Sequence, residues 1–288
     1  MARISTIACL LFILSGVNAQ GIPAGISEID YPNHGEPLTL YAYKPPSYTD
    51  GPLIVVFHGV KRNAGDYRDY AVNLAERFGA VVVAPYFDTL RFPTERYQRG
   101  GVLKGGKVQP TEKWTYAMIP GMVDFIRSSL GKPDIPYYLI GHSAGGQFLV
   151  RMAAFLPGKP ERIIAANPGS DLFPTTDQPF GYGFGKLPPE LSSDRILRDY
   201  LAAPLTLYLG TDDIYPRPSF DDSQEAMKQG RHRLERGRNC YAFAKQLAER
   251  KGWPFHWRIV ETPGIGHDAA RMFAAPESKD ALFGHKQP

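Results

Sequence analysis

The chain has few of the features that mark disulfide-rich or membrane-spanning proteins. Only two of its 288 residues are cysteines, and Cys9 lies in an N-terminal apolar segment. If the N-terminal segment that contains Cys9 is removed, Cys240 is the single remaining cysteine. We therefore expect no internal disulfide, and a small, buried, unreactive side chain at Cys240. No apolar run is long enough to cross a bilayer, so we expect no membrane insertion.

Its charge and motifs also point away from several kinds of ligand. The 33 Lys and Arg against 29 Asp and Glu leave a net charge of +4, too small an excess to predict binding to nucleic acid. The histidines show no metal-ligand spacing with acids or cysteines, and no Gly-rich phosphate loop or dinucleotide fingerprint is present. We therefore expect neither a metal nor a cofactor.

The first 19 residues have the pattern of a secretory signal peptide. Arg3 gives a positive start, residues 4–14 are apolar, and residues 17–19 (Val-Asn-Ala) form a small-residue cleavage site. Cleavage there would leave residues 20–288, a suitable length for one catalytic domain. We expect a secreted or periplasmic protein.

Short apolar runs alternate with segments of helical spacing. The expected strands cover residues 26–30, 38–43, 53–58, 80–84, 135–140, 162–167, 205–210 and 255–260, and the expected helices residues 67–78, 111–130, 146–155 and 193–201. This alternation predicts an α/β fold with a mostly parallel central sheet and helices on both faces. The Pro-, Gly- and Phe-rich segment 168–204 is predicted to form a mobile flap over the site.

The most informative motif is Gly-His-Ser-Ala-Gly at residues 141–145, between an expected strand and an expected helix. G-x-S-x-G in that setting is a nucleophile elbow. The turn is so tight that the residues flanking the serine must lack bulk, which the two glycines supply. The motif predicts Ser143 as a nucleophile with an accessible hydroxyl.

An acid and a histidine follow two later strands, in the order Ser, Asp, His. Asp212 and Asp213 follow the strand at 205–210, and His267 follows the last strand. A serine needs a base to accept its proton, and the base needs an acid to orient it. Open α/β sheets place their sites at the carboxyl ends of strands. The acid that is not catalytic would be a turn residue, and His267 would otherwise be an ordinary loop histidine.

With these residues the chain resembles an α/β-hydrolase, specifically the secreted polyhydroxybutyrate-depolymerase and feruloyl-esterase-like branch, which poly(aspartic acid) hydrolases also resemble. The resemblance covers roughly residues 35–275 and rests on the elbow, the acid turn and the histidine loop. It implies Asp213 rather than Asp212 as the acid, because the family's acid usually falls three residues after the strand-ending glycine. It implies His267 as the base.

The resemblance also implies an oxyanion hole made of two backbone N–H groups. Ala144, after the nucleophile, would supply one, and Val60, after the His58-Gly59 pair, the other. His58 is therefore expected to shape this loop rather than to transfer protons. His142 is expected to be a packed structural side chain.

Basic residues gather in two regions, and this bears on the substrate. The clusters are Lys61, Arg62, Arg91, Arg96, Arg99, Lys104, Lys107 and Lys113, and Arg231, Arg233, Arg236 and Arg238. One interpretation is a groove for an anionic substrate, with Arg62, Arg99, Arg231 and Arg233 as candidate binding residues. The other is a solvated surface balanced by nearby acids. Aromatic residues of the same loops would instead line an apolar cleft.

Three functions follow. The favoured one is a secreted serine esterase or polyester depolymerase that acts through an acyl-enzyme on a small or polymeric ester. The second is a hydrolase of an anionic polyamide such as poly(aspartic acid), which the arginines favour. The third is a catalytically inactive hydrolase fold that serves as a binding module.

Overall fold

The computed structural model describes residues 21–215 and 219–284, so the expected signal peptide at residues 1–19 lies outside the described residues. The strands are β1 (Gly25–Tyr31), β2 (Leu38–Lys44), β3 (Leu53–Phe57), β4 (Val81–Pro85), β5 (Leu103–Lys104), β6 (Lys107–Val108), β7 (Tyr137–His142), β8 (Arg162–Ala166), β9 (Leu205–Gly210) and β10 (Arg258–Thr262). The helices are α1 (Ala64–Tyr70), α2 (Val72–Phe78), α3 (Met118–Ser129), α4 (Ala144–Phe155), α5 (Pro189–Ser192), α6 (Asp194–Leu201), α7 (Gln224–Met227), α8 (Arg233–Lys251), α9 (Ala269–Ala274) and α10 (Ser278–Phe283).

Eight of these strands form one sheet, in the order β1-β2-β4-β3-β7-β8-β9-β10. The pairs β1–β2 and β2–β4 are antiparallel, and every other neighbouring pair is parallel. The strands β5 and β6 form a separate hairpin. The predicted α/β fold with a mostly parallel sheet is confirmed.

Both faces of the sheet are covered, which explains the uninterrupted apolar strands. In β3, Leu53, Val55 and Phe57 pack into the cluster that includes α3, α4 and α8. Ile54 and Val56 pack on the other face with α1, α2, α9 and α10. Successive strand side chains point to opposite faces, so burial of both faces requires an apolar residue at each position.

The parallel strands bring the expected site residues to one edge of the sheet. The strands β3, β7, β8, β9 and β10 all run in the same direction. Their carboxyl ends lead into residues 58–62, Ser143, Asn167, residues 211–213 and residues 263–267. Sequence segments more than 200 residues apart therefore meet at that edge.

Several element boundaries differ from the predicted ones. The helix expected at 67–78 is two helices, α1 and α2, joined at Ala71. The last strand begins at Arg258, not at residue 255, because residues 256 and 257 bond to the end of α6. The His256 N–H donates to the Leu201 carbonyl at 3.0 Å, and the Trp257 indole donates to the Tyr200 carbonyl at 2.9 Å. Helices α9 and α10 were not predicted.

Three further expectations concern individual parts of the chain. Cys240 is fully buried in α8, in accord with its expected role as a small core residue. Segment 168–204 packs on α4, where Phe155 contacts the rings of Phe180 and Phe184. Its mobility stays a prediction. Among the described residues, no helix has both the length and the apolar character needed to cross a bilayer.

Candidate active site

Ser143 occupies a sharp turn between β7 and α4. Its backbone has φ 59° and ψ −113°, a conformation that a residue with a side chain rarely adopts. The Ser143 N–H donates to the Ala166 carbonyl at 3.0 Å, which fixes the turn to the neighbouring strand. This is the geometry of a nucleophile elbow.

The two glycines of the motif permit a close approach of three elements. A side chain at Gly141 would place its Cβ 2.5 Å from the backbone of Gly145. One at Gly145 would overlap the carbonyl of Phe57 in β3. The strand β3, the elbow and α4 therefore pack with no room for a Cβ at either position, as the sequence pattern predicts.

Asp213 and His267 form a hydrogen-bonded pair beside this elbow. The His267 Nδ1 lies 2.7 Å from Asp213 Oδ2, and the Asp213 side chain is 1% exposed. Because Nδ1 carries the proton that it donates to the carboxylate, Nε2 is the basic nitrogen of the ring. Asp212, the alternative acid, is exposed at the turn, where its N–H donates to the Ile265 carbonyl at 3.0 Å.

His142 connects the elbow to this pair. Its ring centroid is 4.4 Å from that of His267, and its Nδ1 lies 3.2 Å from the Tyr67 hydroxyl. Burial, and secondarily the nearby His267, lowers the pKa of His142 well below its usual value. His142 is thus a neutral packed side chain against which the His267 ring rests.

Asn167 fastens the acid turn to the histidine loop, and the sequence analysis missed it. Its side chain accepts from the Gly210 N–H at 2.8 Å and donates to the Gly266 carbonyl at 3.2 Å. The backbone of Asn167 has φ 42°. The sequence feature that could have identified Asn167 is its position: it is a polar residue directly after the apolar strand β8, at the sheet edge where the other candidate site residues lie.

His58 organises the expected oxyanion loop through both ring nitrogens. Its Nε2 accepts from the Phe87 N–H at 3.1 Å, so Nδ1 carries the proton and donates to the Gly59 carbonyl at 3.0 Å. Burial lowers the pKa of His58 to about 3. The ring is neutral and shapes the loop, as expected.

The Gly59–Val60 peptide lies beside the nucleophile. A Cβ on Gly59 would be 3.8 Å from the Ser143 Cβ and 2.7 Å from the Tyr67 hydroxyl oxygen. In a trans peptide the carbonyl of one residue and the N–H of the next point in opposite directions. The hydrogen bond from His58 to the Gly59 carbonyl therefore sets the direction of the Val60 N–H.

A small cavity of about 120 Å³ opens at Ser143. It is lined by polar and cationic side chains rather than by an aromatic wall. The lining residues are Val60, Thr94, Gln98, Arg99, Ser143, Gln147, Arg151, Gly169, Ser170, Tyr182, Ser219, Asp221 and Arg233. Of the loop aromatics, Tyr182 lines the cavity, whereas Phe87, Phe92 and Tyr97 are fully buried in the core.

Two of the four candidate substrate-binding arginines line this cavity. They are Arg99 and Arg233. The Arg62 guanidinium instead lies over the Tyr97 ring at 4.2 Å and donates to the Phe92 carbonyl at 2.9 Å. The Arg231 side chain is 81% exposed and pairs with Glu235 at 3.2 Å.

Arg99 is the cation that is best placed to receive a ligand. It is half-buried, and its guanidinium lies 5.9 Å from the centre of the Tyr182 ring. Its guanidinium makes no hydrogen bond or ion pair within residues 21–215 and 219–284. Other members of the basic clusters are paired at the surface, such as Arg96 with Glu36 and Arg238 with Glu261.

Arg151, a buried side chain that lines the cavity, and the fully buried Asp171 were not singled out from the sequence. Arg151 donates to the Ser170 hydroxyl at 3.1 Å and to the Gly181 carbonyl. Neither carboxylate oxygen of Asp171 has a hydrogen-bond partner among the described residues. Burial raises the pKa of Asp171 to about 7, against the opposing effect of Arg151 and Arg236.

Among residues 21–215 and 219–284, no group of three or more His, Cys, Asp or Glu side chains is arranged to hold a metal ion.

Among the solved structures to which the chain is similar, two are matched at more than 30% identity over most of their length. Poly(aspartic acid) hydrolase-1 from Sphingomonas sp. KT-1 is 31% identical with a TM-score of 0.83, over 89% of this chain and 98% of that one. LpqC, a poly(3-hydroxybutyrate) depolymerase from Bordetella parapertussis, is 35% identical with a TM-score of 0.80, over 89% and 90%.

A more distant structure shares the fold alone. S-formylglutathione hydrolase from Staphylococcus aureus is 15% identical with a TM-score of 0.51, over 90% of this chain and 96% of that one. No protein-family model and no curated protein matches the chain. The two nearer similarities confirm the resemblance on which the sequence analysis drew.

Proposed function

Because the chain belongs to the α/β-hydrolase family, with poly(aspartic acid) hydrolase-1 and LpqC as relatives, we propose that it is an exported serine hydrolase of carboxylic esters. The observation that carries this proposal is the hydrogen-bonded Asp213–His267 pair at 2.7 Å, which packs against the elbow that holds Ser143. An acid, a base and a strained serine at the ends of β9, β10 and β7, on the same edge of the sheet, are the parts that acyl transfer requires.

The proposed reaction uses a covalent intermediate. The Ser143 hydroxyl oxygen attacks the ester carbonyl carbon while His267 Nε2 takes its proton. The C–O bond of the leaving alcohol then breaks, and His267 returns the proton to that oxygen. Water releases the acyl group by the same two steps, and Asp213 stabilises the imidazolium each time. The N–H groups of Val60 and Ala144 would bind the negative oxygen.

Steady-state kinetics on p-nitrophenyl esters tests the scheme. Ser143→Ala and His267→Ala should each lower kcat by about 10⁴-fold or more, and the double variant should lose no more than the worse single one, because the two residues act as a unit. Ser128→Ala, an exposed serine on α3, is the matched control and should keep the wild-type rate. A near-normal rate for Ser143→Ala would exclude the scheme.

A second candidate function is hydrolysis of an anionic polyamide. It is favoured by Arg99, which borders the cavity at Ser143 with no carboxylate partner among the described residues. Purified protein should then cleave polyaspartate, and Arg99→Met should raise the KM for that polymer while leaving neutral esters unaffected. Arg231→Met, which removes an exposed charge, is the control. Rapid ester turnover with no polyaspartate cleavage would remove this candidate.

Export is proposed from the N-terminal pattern of residues 1–19. Mass spectrometry of protein recovered outside the cytoplasm should find a mature N-terminus at Gln20. Recovery of the intact chain with Met1 in the cytoplasm would contradict it.

A further inference from the structure

Arg233, the first residue of α8, lies between the catalytic acid and the cavity at Ser143. We propose that Arg233 is a positioning residue for Asp213, and this rests on the proposed serine-hydrolase function. Its Nη1 is 3.5 Å from Asp213 Oδ1, and both side chains are 1% exposed.

The two oxygens of Asp213 therefore have different partners. Oδ2 accepts from His267 Nδ1 at 2.7 Å, and Oδ1 faces the Arg233 guanidinium. A carboxylate with only one partner could rotate and offer either oxygen, or a poorer angle, to the imidazole. The cation on Oδ1 fixes which oxygen meets the histidine, and so fixes the direction of Nε2 toward the elbow.

A backbone hydrogen bond fixes the start of α8 next to the acid turn, and an aromatic ring packs against the Arg233 guanidinium. The N–H of Leu234 donates to the Asp213 backbone carbonyl at 3.4 Å, which joins the start of α8 to the acid turn. The Arg233 guanidinium carbon lies 5.2 Å from the centre of the Phe220 ring, and that of Arg236 lies 4.3 Å from the same ring. Arg233 is thus part of a packed unit rather than a side chain that swings into solvent.

The charged groups around Arg233 set its electrostatic effect. The facing groups are Asp213 after β9, His267 after β10, His142 in β7, Arg236 in α8, and Asp221, Arg99 and Arg151 across the cavity. In this buried setting a cation stabilises the Asp213 carboxylate and opposes positive charge on His267. Arg233 should therefore keep His267 neutral, and able to accept the serine proton, at lower pH than it otherwise would.

The test is the pH profile of kcat/KM on a neutral p-nitrophenyl ester, which avoids any effect of Arg233 on a charged substrate. Arg233→Met should lower kcat by about 10- to 100-fold with little change in KM, because the dyad is misaligned. It should also move the acidic limb of the profile up by about one pH unit. Arg233→Lys keeps the charge and should return the acidic limb of the pH profile to its wild-type position. Its kcat should recover only in part, because an ammonium lacks the planar, fixed N–H donors of a guanidinium.

Arg238→Met is the matched control, since Arg238 lies on the same helix in an exposed pair with Glu261. It should leave both kcat and the limb unchanged. An equal loss of rate at every pH in Arg233→Met, with the acidic limb unmoved, would overturn the proposal, because a merely structural role predicts that result. Should Arg233→Met not fold, Arg233→Gln removes the charge, and the same shift is expected. Failure of the underlying mechanism is recognised separately, by an active Ser143→Ala.

Discussion

His58 offers a test of the oxyanion loop in which its two hydrogen bonds are removed one at a time. The amide of Asn reaches about as far as an imidazole Nδ1, and that of Gln about as far as Nε2. His58→Asn should keep the bond to the Gly59 carbonyl and lose the bond from the Phe87 N–H. His58→Gln should do the opposite.

The two variants should separate stability from activity. The Phe87 N–H is buried, and leaving it without an acceptor costs about 1–3 kcal/mol, so His58→Asn should lose that much stability. The Gly59 carbonyl also accepts from the Arg62 N–H at 3.2 Å, so His58→Gln should lose less. In that variant only the Arg62 N–H still holds the Gly59 carbonyl, so the direction of the Val60 N–H is less firmly fixed. If Val60 is the proposed oxyanion donor, kcat should fall, by up to the roughly 10²- to 10³-fold that loss of one such donor costs.

The same histidine makes the fold acid-sensitive. Burial lowers the pKa of His58 to about 3, from an ordinary value of 6.5. Between these two pH values the unfolded chain binds more protons than the folded one. The contribution of neutral His58 to the free energy of unfolding is therefore fully present above pH 6.5 and is lost as pH falls toward 3. Acidification should lower the free energy of unfolding through His58 by at most about 5 kcal/mol. His58→Asn and His58→Gln have no imidazole to protonate at this position, so neither should show this decrease.

Urea unfolding at pH 7.5 and pH 5, together with kcat on a neutral ester, measures all three effects. We expect His58→Asn to be the less stable and His58→Gln the less active variant. Equal kcat in the two variants, or an Asn variant that is less active than the Gln variant, would refute the role assigned to the Gly59–Val60 peptide.

Two other changes test the acid assignment and the buried carboxyl. Asp213→Asn should lower kcat by about 10⁴-fold, by analogy with other triads, whereas Asp212→Asn should stay near the wild-type rate; a larger loss in Asp212→Asn would reverse the assignment. The raised pKa of Asp171, about 7, means that the folded state binds more protons than the unfolded state between about pH 4 and 7, so this contribution to stability is lost as pH rises through that window. Asp171→Asn should therefore gain a few kcal/mol over wild type at pH 8 and less than half of that at pH 5, and an equal change in urea stability at both would contradict this.

The fold, and the placement of Ser143, Asp213 and His267 at one sheet edge, were predictable because they depend on short sequence patterns and on one topological rule. The apolar run of β3 and the glycines around Ser143 are short sequence patterns, which can be recognised without knowing which distant segments they contact. Parallel strands then place Asp213 and His267 at the same sheet edge, whatever the details of their loops. The rule does not depend on side-chain geometry.

The rest depends on how long loops cross the surface. Arg62 and Arg99 belong to the same basic cluster, yet one stacks on Tyr97 and the other borders the cavity. Arg231 and Arg233 are two residues apart, and only Arg233 turns inward to the acid. Nothing in the local sequence distinguishes the members of each pair, because burial here is decided by contacts with distant segments.

Covalent labelling with a fluorophosphonate tests most directly whether Ser143 is activated by His267. Peptide mass spectrometry should find a single adduct, on Ser143, with the labelling rate lowered by several powers of ten in His267→Ala. A protein that hydrolyses esters while Ser143 stays unlabelled, or whose labelling is indifferent to loss of the imidazole, would contradict the account. A folded protein with neither adduct nor turnover would instead be the inactive binding module.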